Sequence, residues 1–297
     1  MRRANRKPIT VASTVGVEVR SQAEKGRLFR ELHARPGILV LPNPWDAGTA
    51  KLLASLGFEA LATTSLGFAN ALGRADGEGS VSRAELLENC RVVAEATDLP
   101  VNADLENGYA DDPREAAMIL RDAAEMGVVG GSLEDWSGER IYDFGHAVER
   151  VAAGVEMARS LPVPFTFVAR AENLIRGRPD LDDTIRRLQA FEQAGADVLY
   201  APGLRDLDTM RTVVQAVGKP LNVVMSAADP ALTASEMEAV GVKRLSVGGA
   251  LSRLALAAFM KGAREMKEQG GFSWVLDALP TNDLKTVFRD TPRPLSG

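Results

Sequence analysis

Short apolar runs alternate with longer segments of helical period along most of the chain, a pattern typical of βα units and a parallel sheet. The runs that predict strands are residues 38–42, 60–64, 101–104, 128–134, 165–170, 198–202, 221–225 and 244–247. The segments that predict helices between them include residues 83–97, 113–125, 147–160, 182–194, 206–217, 234–240 and 252–267. The pattern therefore predicts eight strands alternating with helices.

The two ends of the chain depart from this repeat. Residues 1–20 show no clear period and are predicted to form an N-terminal arm, followed by an extra helix over residues 21–34. Residues 21–270 are predicted to form one domain. Residues 271–297 carry apolar side chains such as Trp274, and we expect this segment to pack on a neighbouring subunit.

Eight strand–helix repeats without a change in composition predict one (β/α)₈ (TIM) barrel. Glycines follow several predicted helices, as at Gly127 and Gly195, where a left-handed C-cap favours them. The alternative is a doubly wound open sheet, which often carries a glycine-rich phosphate turn after its first strand. Here residues 43–46 read NPWD instead, and Asp46 is predicted to cap the following helix.

Composition narrows the class of protein further. The net charge is −5 with both signs interspersed, which argues against a nucleic-acid partner. Cys90 is the only cysteine, so no intrachain disulfide is expected. No apolar run approaches the ~20 residues of a membrane helix, and the first residues do not resemble a secretory signal. We therefore expect a cytoplasmic protein without a nucleic-acid or membrane partner.

Charged residues collect where the predicted strands end. Asp104 ends strand three and Glu106 comes two residues later, Glu134 ends strand four, Arg170 ends strand five, and Asp76 lies in the loop after strand two. Barrel enzymes place their chemistry at the carboxyl ends of the strands. These side chains are therefore expected to meet at one mouth.

Carboxylates gathered in a partly buried mouth repel one another, and a hard divalent cation relieves that repulsion. The predicted cofactor is Mg²⁺, with Mn²⁺ as a substitute, because oxygen ligands suit it. The chain has only two histidines, which weighs against zinc. Arg170 would bind a substrate carboxylate through its planar fork, and Asn222 of strand seven is a further candidate contact. The alternative is structural: Asp104 and Glu106 cap the next helix or pair with Arg170.

Several strings, in this order, resemble the isocitrate lyase/phosphoenolpyruvate mutase superfamily over residues 30–271. They are residues 43–47 (NPWDA), 63–65 (TTS), 72–77 (LGRADG), 100–109 (PVNADLENGY), 132–135 (SLED) and 168–172 (VARAE). The resemblance implies an α/β barrel and a homo-oligomer, a dimer or commonly a tetramer with an exchanged C-terminal helix.

The resemblance also implies roles for individual residues. Magnesium would be held through Asp104, with Asp76, Glu106 and Glu134 nearby, mostly through water. Arg170 would bind substrate oxygens, and with Asp76 and Glu134 it forms the predicted catalytic set. The backbone N–H groups of one loop would bind a substrate carboxylate; that loop is Thr64, Ser65, Leu66 and Gly67.

The chain departs from the best-known members in two places. Glu106 stands where the family has a shorter acid. The lyases carry a mobile loop with a catalytic cysteine after the strand-four acid, but residues 136–143 contain no cysteine and lack the mutase Lys and Asn. Cys90 is predicted to be a buried, inert thiol. His146 is a candidate substitute acid or base, although it is also expected to start a helix.

Three functions remain open. The leading prediction is a magnesium-dependent lyase or decarboxylase that cleaves a C–C bond in a small 2-oxo or 2-hydroxy dicarboxylic acid through an enolate. The second is C–P chemistry, a phosphonomutase or phosphonopyruvate hydrolase, with Arg140, Arg176 and Arg178 as extra cations. The third is a catalytically silent protein that binds a 2-oxo acid.

Overall fold

The computed structural model describes residues 20–77 and 79–289, and strands and helices alternate through it. The strands are β1 Leu39–Leu41, β2 Leu61–Ala62, β3 Val101–Asp104, β4 Gly130–Glu134, β5 Thr166–Arg170, β6 Val198–Tyr200, β7 Leu221–Val224 and β8 Arg244–Ser246. The helices are α1 Gln22–Ala34, α2 Ala47–Ser55, α3 Ser65–Ala71, α4 Arg83–Glu95, α5 Pro113–Glu125, α6 Phe144–Ser160, α7 Leu181–Gln193, α8 Leu207–Ala216, α9 Ala234–Ala239, α10 Ala250–Gln269 and α11 Thr281–Arg289. Short 3₁₀ helices cover Met225–Ala227 and Ser273–Asp277.

The eight strands form one parallel sheet that closes on itself. From β2 to β8 each strand pairs with the next in sequence, and β8 pairs with β1. The Ala62 amide donates to the Pro42 carbonyl at 3.1 Å, which joins β1 to β2. This closure confirms the predicted (β/α)₈ barrel and rules out the open doubly wound sheet.

Helix α1 closes the amino-terminal end of the barrel. Its first turn is fixed by a capping box between Ser21 and Glu24. Phe29 and Leu32 on its apolar face are buried, and they cluster with Leu39 and Val129 of the barrel. These side chains plug this end of the barrel's interior.

Turn chemistry sets the helix boundaries much as predicted. Asp46 caps α2 through the Thr49 amide at 2.7 Å. Gly127 and Gly195 have φ values of 92° and 103° after α5 and α7, in the left-handed region that glycine tolerates. His146 lies in the first turn of α6, as expected.

Helix α3 was not predicted. The predicted carboxylate-binding loop at Ser65 is instead the first turn of α3, and Thr64 is its N-cap. The sequence of α3, SLGFANA, is too short and too uniformly small or apolar to show a helical period.

The C-terminal segment folds back on the chain's own helices. Helix α10 ends at Gly270, with φ 64°, and Trp274 then lies against Gly262 of α10. Helix α11 packs on α2, where Phe288 approaches Gly48. Packing of residues 271–297 on a neighbouring subunit therefore stays a prediction, and most of the arm at residues 1–20 lies outside the described residues. In the described ranges, no helix is long and apolar enough to cross a membrane.

Candidate active site

Asp104, the last residue of β3, is held from three directions at the mouth of the barrel. Its amide donates to Thr63 Oγ1 at 2.9 Å. Its Oδ2 accepts from the amide and the hydroxyl of Ser65, each at 3.1 Å. Arg170 Nη1 lies 3.3 Å from its Oδ1. The carboxylate is therefore fixed in orientation before any ligand arrives.

Arg170, at the end of β5, is surrounded by carboxylates. Its Nη1 lies 3.2 Å from Glu134 Oε2, and its Nε donates to Glu172, which is fully buried. Its guanidinium carbon lies 5.1 Å from the centre of the Tyr200 ring. Burial opposes the charge, but Glu172 and Glu134 outweigh it and raise the pKa of Arg170 well above its ordinary value. Arg170 is thus a permanent cation.

Three further carboxyl groups near Asp104 are hard to ionise. Burial, together with Glu172 and Asp104, raises the pKa of Glu134 well above its ordinary value. Burial and the charges of Asp104 and Asp76 raise the pKa of Glu106 to about 7. Desolvation by the cavity walls and the charge of Asp104 raise the pKa of Asp76. The mouth therefore gathers more carboxyl groups than Arg170 can pair with, and burial and mutual repulsion favour the protonated form of these three.

The donor set fits a hard divalent cation and argues against zinc. Within residues 20–77 and 79–289, no three His, Cys, Asp or Glu side chains converge as a ready-made ligand group. A cation at this mouth would therefore be held by one or two carboxylates and by water, and not by a pre-formed group of ligands. His33 is buried at the closed end of the barrel, and His146 bonds to the Asp111 carbonyl at 3.0 Å, outside the cavity lining. Cys90 is buried, and burial raises its pKa to about 12.

A strained turn after β3 places Glu106. Strand β3 ends at Asp104, so Glu106 lies beyond the strand. Glu106 and Tyr109 have φ values of 50° and 60°, unusual for residues with a Cβ. The Tyr109 hydroxyl donates to Glu106 Oε1 at 3.4 Å. Glu106 thus reaches the site from the turn and not from the strand.

Two adjoining cavities of about 280 Å³ each open at this mouth. The deeper cavity brings together predicted residues, namely Thr64, Ser65, Leu66, Asp76, Asp104 and Arg170. The shallower cavity shares Ser65, Asp76 and Arg170 and adds two more predicted acids, Glu106 and Glu134. All four predicted metal-site acids and the predicted arginine therefore lie around one opening.

Two other predicted substrate contacts do not line the deeper cavity. Asn222 is fully buried in β7, and its amide donates to Ser246 Oγ at 3.1 Å. The Gly67 amide donates to Thr64 Oγ1, and the Ser65 amide is taken by Asp104. In the predicted carboxylate-binding turn, the amides of Ser65 and Gly67 are thus already used within the chain.

Several neighbours of the site were not among the residues predicted for the lyase site. Arg176, considered only for C–P chemistry, lines both cavities, lies 3.2 Å from Glu172 and stacks on Trp136 at 4.8 Å. Asn43 ties the barrel closed at the mouth, because its Oδ1 accepts from the amides of Val247 and Gly248 at 2.9 Å. In the sequence, Asn43 could have been found by its position directly after strand one, where barrel enzymes place functional residues.

Other missed residues carry charge inside the strands or beside them. Arg244 was visible as a charged residue in an apolar strand, and it lines the deeper cavity. Asp135, next to Glu134, instead pairs with buried Arg187 at 3.0 Å, away from the cavities. Burial raises the pKa of Asp135 to about 6. Alternation along the strand explains why neighbouring acids have opposite roles.

An eight-stranded barrel that gathers acids and a paired arginine at the carboxyl ends of its strands has the architecture of a barrel enzyme. The sequence profile of the phosphoenolpyruvate phosphomutase family matches residues 29–267, and the chain belongs to this family. The wider isocitrate lyase/phosphoenolpyruvate mutase superfamily includes lyases such as 2-methylisocitrate lyase and 2,3-dimethylmalate lyase. The predicted resemblance and the prediction of an enzyme are confirmed.

Individual proteins show the same relationship. A structure from Burkholderia cenocepacia, described provisionally as a lyase/mutase, is 51% identical with a TM-score of 0.88 over 90% of this chain and 96% of its own. The 2,3-dimethylmalate lyase of Eubacterium barkeri is 27% identical over 86% of this chain and 92% of its own. A phosphonopyruvate hydrolase described as a complex with oxalate and Mg²⁺ shares the fold, with 22% identity and a TM-score of 0.79 over 89% and 94%.

Proposed function

We propose that the protein is a Mg²⁺-dependent lyase that cleaves a C–C bond, or decarboxylates, in a small 2-oxo or 2-hydroxy dicarboxylic acid through an enolate. The observation that carries the proposal is the fixed Asp104 carboxylate, beside Arg170 and three acids whose pKa values are raised. The name of the E. barkeri relative supports the substrate class, because dimethylmalate is a substituted 2-hydroxy dicarboxylate.

Asp104 would hold the cation directly, and Asp76, Glu106 and Glu134 would hold it through water. Mn²⁺ suits the same oxygen donors. When bound, the cation supplies Lewis-acid stabilisation of the negative charge that develops on the enolate oxygen. The phosphonopyruvate hydrolase described with Mg²⁺ supports this choice of ion.

The chain's own residues would bind the substrate and handle protons. Arg170 would donate to the substrate carboxylate and to the oxygen that gains charge, and its carboxylate partners keep it in place. The catalytic set also includes Asp76 and Glu134. Glu106 lies at the same opening, where burial and the charges of Asp104 and Asp76 raise its pKa.

A substrate panel tests this proposal. Purified protein is assayed with Mg²⁺ on 2-oxo and 2-hydroxy dicarboxylates of four to six carbons, and release of the smaller 2-oxo acid or of CO₂ is followed. We expect turnover on at least one compound, lost with excess chelator and in Asp104→Ala. Full activity in chelator would overturn the mechanism.

A second candidate is C–P bond chemistry, and the observation that favours it is Arg176. This cation lines both cavities beside Arg170, where it could hold a phosphoryl group. The other arginines considered for this role fit less well, because Arg178 lies 4.0 Å from Asp183 and Arg140 lines neither cavity. Consumption of phosphonopyruvate, measured beside the carboxylate panel, separates the two chemistries.

We also propose that the chain forms a homo-oligomer through α10 and the segment after it. Phe259 and Leu276 are 71% and 82% exposed, and other large apolar side chains of this surface are exposed as well. Exposed apolar surface of this extent is typical of an interface between protein chains. A second copy of the chain is the proposed partner.

A further inference from the structure

The floor of the deeper cavity contains a buried cation without a counter-charge. Arg244 begins β8 and is 2% exposed. Its Nε and Nη1 are buried and have no hydrogen-bond partner, and it forms no ion pair with any residue of 20–77 or 79–289. Burial lowers the pKa of Arg244 to about 10, so the guanidinium is still charged at neutral pH.

A buried charge without a partner opposes folding, because water solvates it in the unfolded chain. Other buried arginines in the chain have partners for their charge or their N–H groups. Arg187 pairs with Asp135 and Asp183 at 3.0 and 2.9 Å, and Arg150 donates to backbone carbonyl groups. Arg244 is thus an exception whose natural partner is an anion from outside the chain.

The position of Arg244 shows how such an anion would enter. Arg244 lines the same cavity as Asp104 and Arg170. Tyr200 lies between the two arginines: its ring stacks on Arg170 at 5.1 Å, and its hydroxyl bonds to Ser246, two residues after Arg244 on β8. On the other side of Arg244, its guanidinium carbon lies 6.0 Å from the Phe29 ring of the plug. The open route to Arg244 therefore passes through the mouth.

We propose that Arg244 binds the carboxylate of the substrate that is remote from the reacting carbons, so that the cavity floor selects dianionic substrates. The inference rests on the proposed function and adds a specificity determinant to it. A 2-hydroxy acid would occupy Asp104 and Arg170 with its reacting end, and a second carboxylate would extend down the cavity to Arg244. A monocarboxylate would leave the Arg244 charge unpaired.

Matched pairs of ligands test this role. Dissociation constants are measured by calorimetry with Mg²⁺ for malate against 2-hydroxybutyrate, 2-hydroxyglutarate against 2-hydroxyvalerate, and 2-hydroxyadipate against 2-hydroxyhexanoate. Each pair exchanges only the remote carboxylate for a methyl group. We expect at least about tenfold tighter binding of the dicarboxylate in one pair, most of it lost in Arg244→Met and partly kept in Arg244→Lys. No preference, or a preference that survives in Arg244→Met, overturns the inference.

Oxalate and chloride separate a substrate contact at Arg244 from a site for a free anion. Oxalate has no remote group, so its affinity should change less than about twofold in Arg244→Met. If wild type does not bind oxalate, the proposed function itself fails. If chloride stabilises wild type but not Arg244→Met, and dicarboxylates show no preference, the floor holds a free anion and the substrate assignment is wrong.

Thermal unfolding without ligand distinguishes a substrate contact at Arg244 from a role of Arg244 in stabilising the fold. Buried water could join Arg244 to the unpaired side-chain oxygens of Asn102 and Asn222, and Arg244 would then support the fold. Under our proposal, Arg244→Met unfolds at or above the wild-type temperature without ligand. The control Arg187→Met leaves the buried carboxylates of Asp135 and Asp183 without this cation, so it should unfold well below the wild-type temperature. A loss in Arg244→Met as large as in Arg187→Met would contradict the proposal.

Discussion

Arg170 Nη1 lies 3.3 Å from Asp104 Oδ1, so the proposed substrate cation and the proposed metal ligand are already in contact. The same guanidinium also pairs with Glu134 and with fully buried Glu172. Arg170 is therefore part of the barrel's electrostatic framework as well as of the site. A loss of activity on its removal would mix these two effects, and stability must be measured separately.

We predict that Arg170→Met lowers the free energy of unfolding by about 3–5 kcal/mol, because it leaves buried carboxylates without a counter-charge. Urea unfolding measures the loss. The control is Arg91→Met, since Arg91 pairs with Glu88 and Glu95 on an exposed helix face, where about 1 kcal/mol or less is at stake. Equal stability of the two variants would show that the Arg170 pairs contribute little.

His33 should make the protein less stable at mildly acidic pH. Burial, followed by the charge of Arg244, lowers the pKa of His33 to about 4. Above its ordinary pKa of 6.5 the ring is neutral in both states; below 6.5 the unfolded chain takes up the proton and the folded chain does not. Stability is therefore lost as the pH falls from 6.5 towards 4, by about 2 kcal/mol between pH 7 and pH 5.

Urea unfolding of wild type and His33→Gln at both pH values isolates this effect. Groups with raised pKa values, such as Asp135 and Glu106, act in the opposite direction, because their folded forms take up protons first as the pH falls. These groups are common to both proteins. The same change in stability in the two proteins would contradict this role of His33.

Gly108 is predicted to be essential for the turn that carries Glu106. Its φ is 81°, and an added Cβ would lie 2.7 Å from the Ala116 carbonyl oxygen. Backbone strain at such a position costs about 1–3 kcal/mol. Gly108→Ala should therefore lower the free energy of unfolding by more than this amount, because the close contact adds to the strain. Gly57→Ala is the control, because Gly57 has φ 84° and open space around its Cβ position. A Gly108→Ala variant no less stable than Gly57→Ala would refute the close contact.

The proposed oligomer depends on the exposed surface of α10. Phe259→Glu places a charge at the predicted contact and should shift the protein towards smaller species in sedimentation velocity. Gln269→Glu adds the same charge at the exposed end of α10 and should leave the distribution unchanged. A monomeric wild type, or equal distributions for both variants, would rule out this interface.

The barrel was predictable because its strands are continuous apolar runs and its helices carry a clear period. Helix α5 matches its predicted bounds, and β3 ends at Asp104 as predicted. Helix α3 was missed because seven mostly small or apolar residues carry no period. Its amides then bind Asp104 and Thr64, which a linear pattern does not reveal.

The acids at the mouth were predictable because barrel topology brings strand ends together. The position and contacts of each acid could not be predicted from the sequence. Glu106 depends on left-handed backbone at a residue with a Cβ, and Asp135 turns to Arg187, which lies 52 positions later in the chain. The deeper role of Arg244 required the cavity, because a charged residue in a strand can equally be a structural ion-pair partner when only the sequence is known.

The most direct test of the proposed enolate site is heat stability with Mg²⁺ alone and with Mg²⁺ plus oxalate, a planar mimic of the pyruvate enolate. At a hundredfold excess over its dissociation constant, a ligand of the folded state adds about 2.7 kcal/mol. We predict an oxalate-dependent rise in unfolding temperature that requires Mg²⁺, is lost in Asp104→Ala, and persists in Asp143→Ala, a control at the α6 N-cap without a side-chain capping bond. No rise in wild type, or an equal rise in Asp104→Ala, would contradict the proposed site.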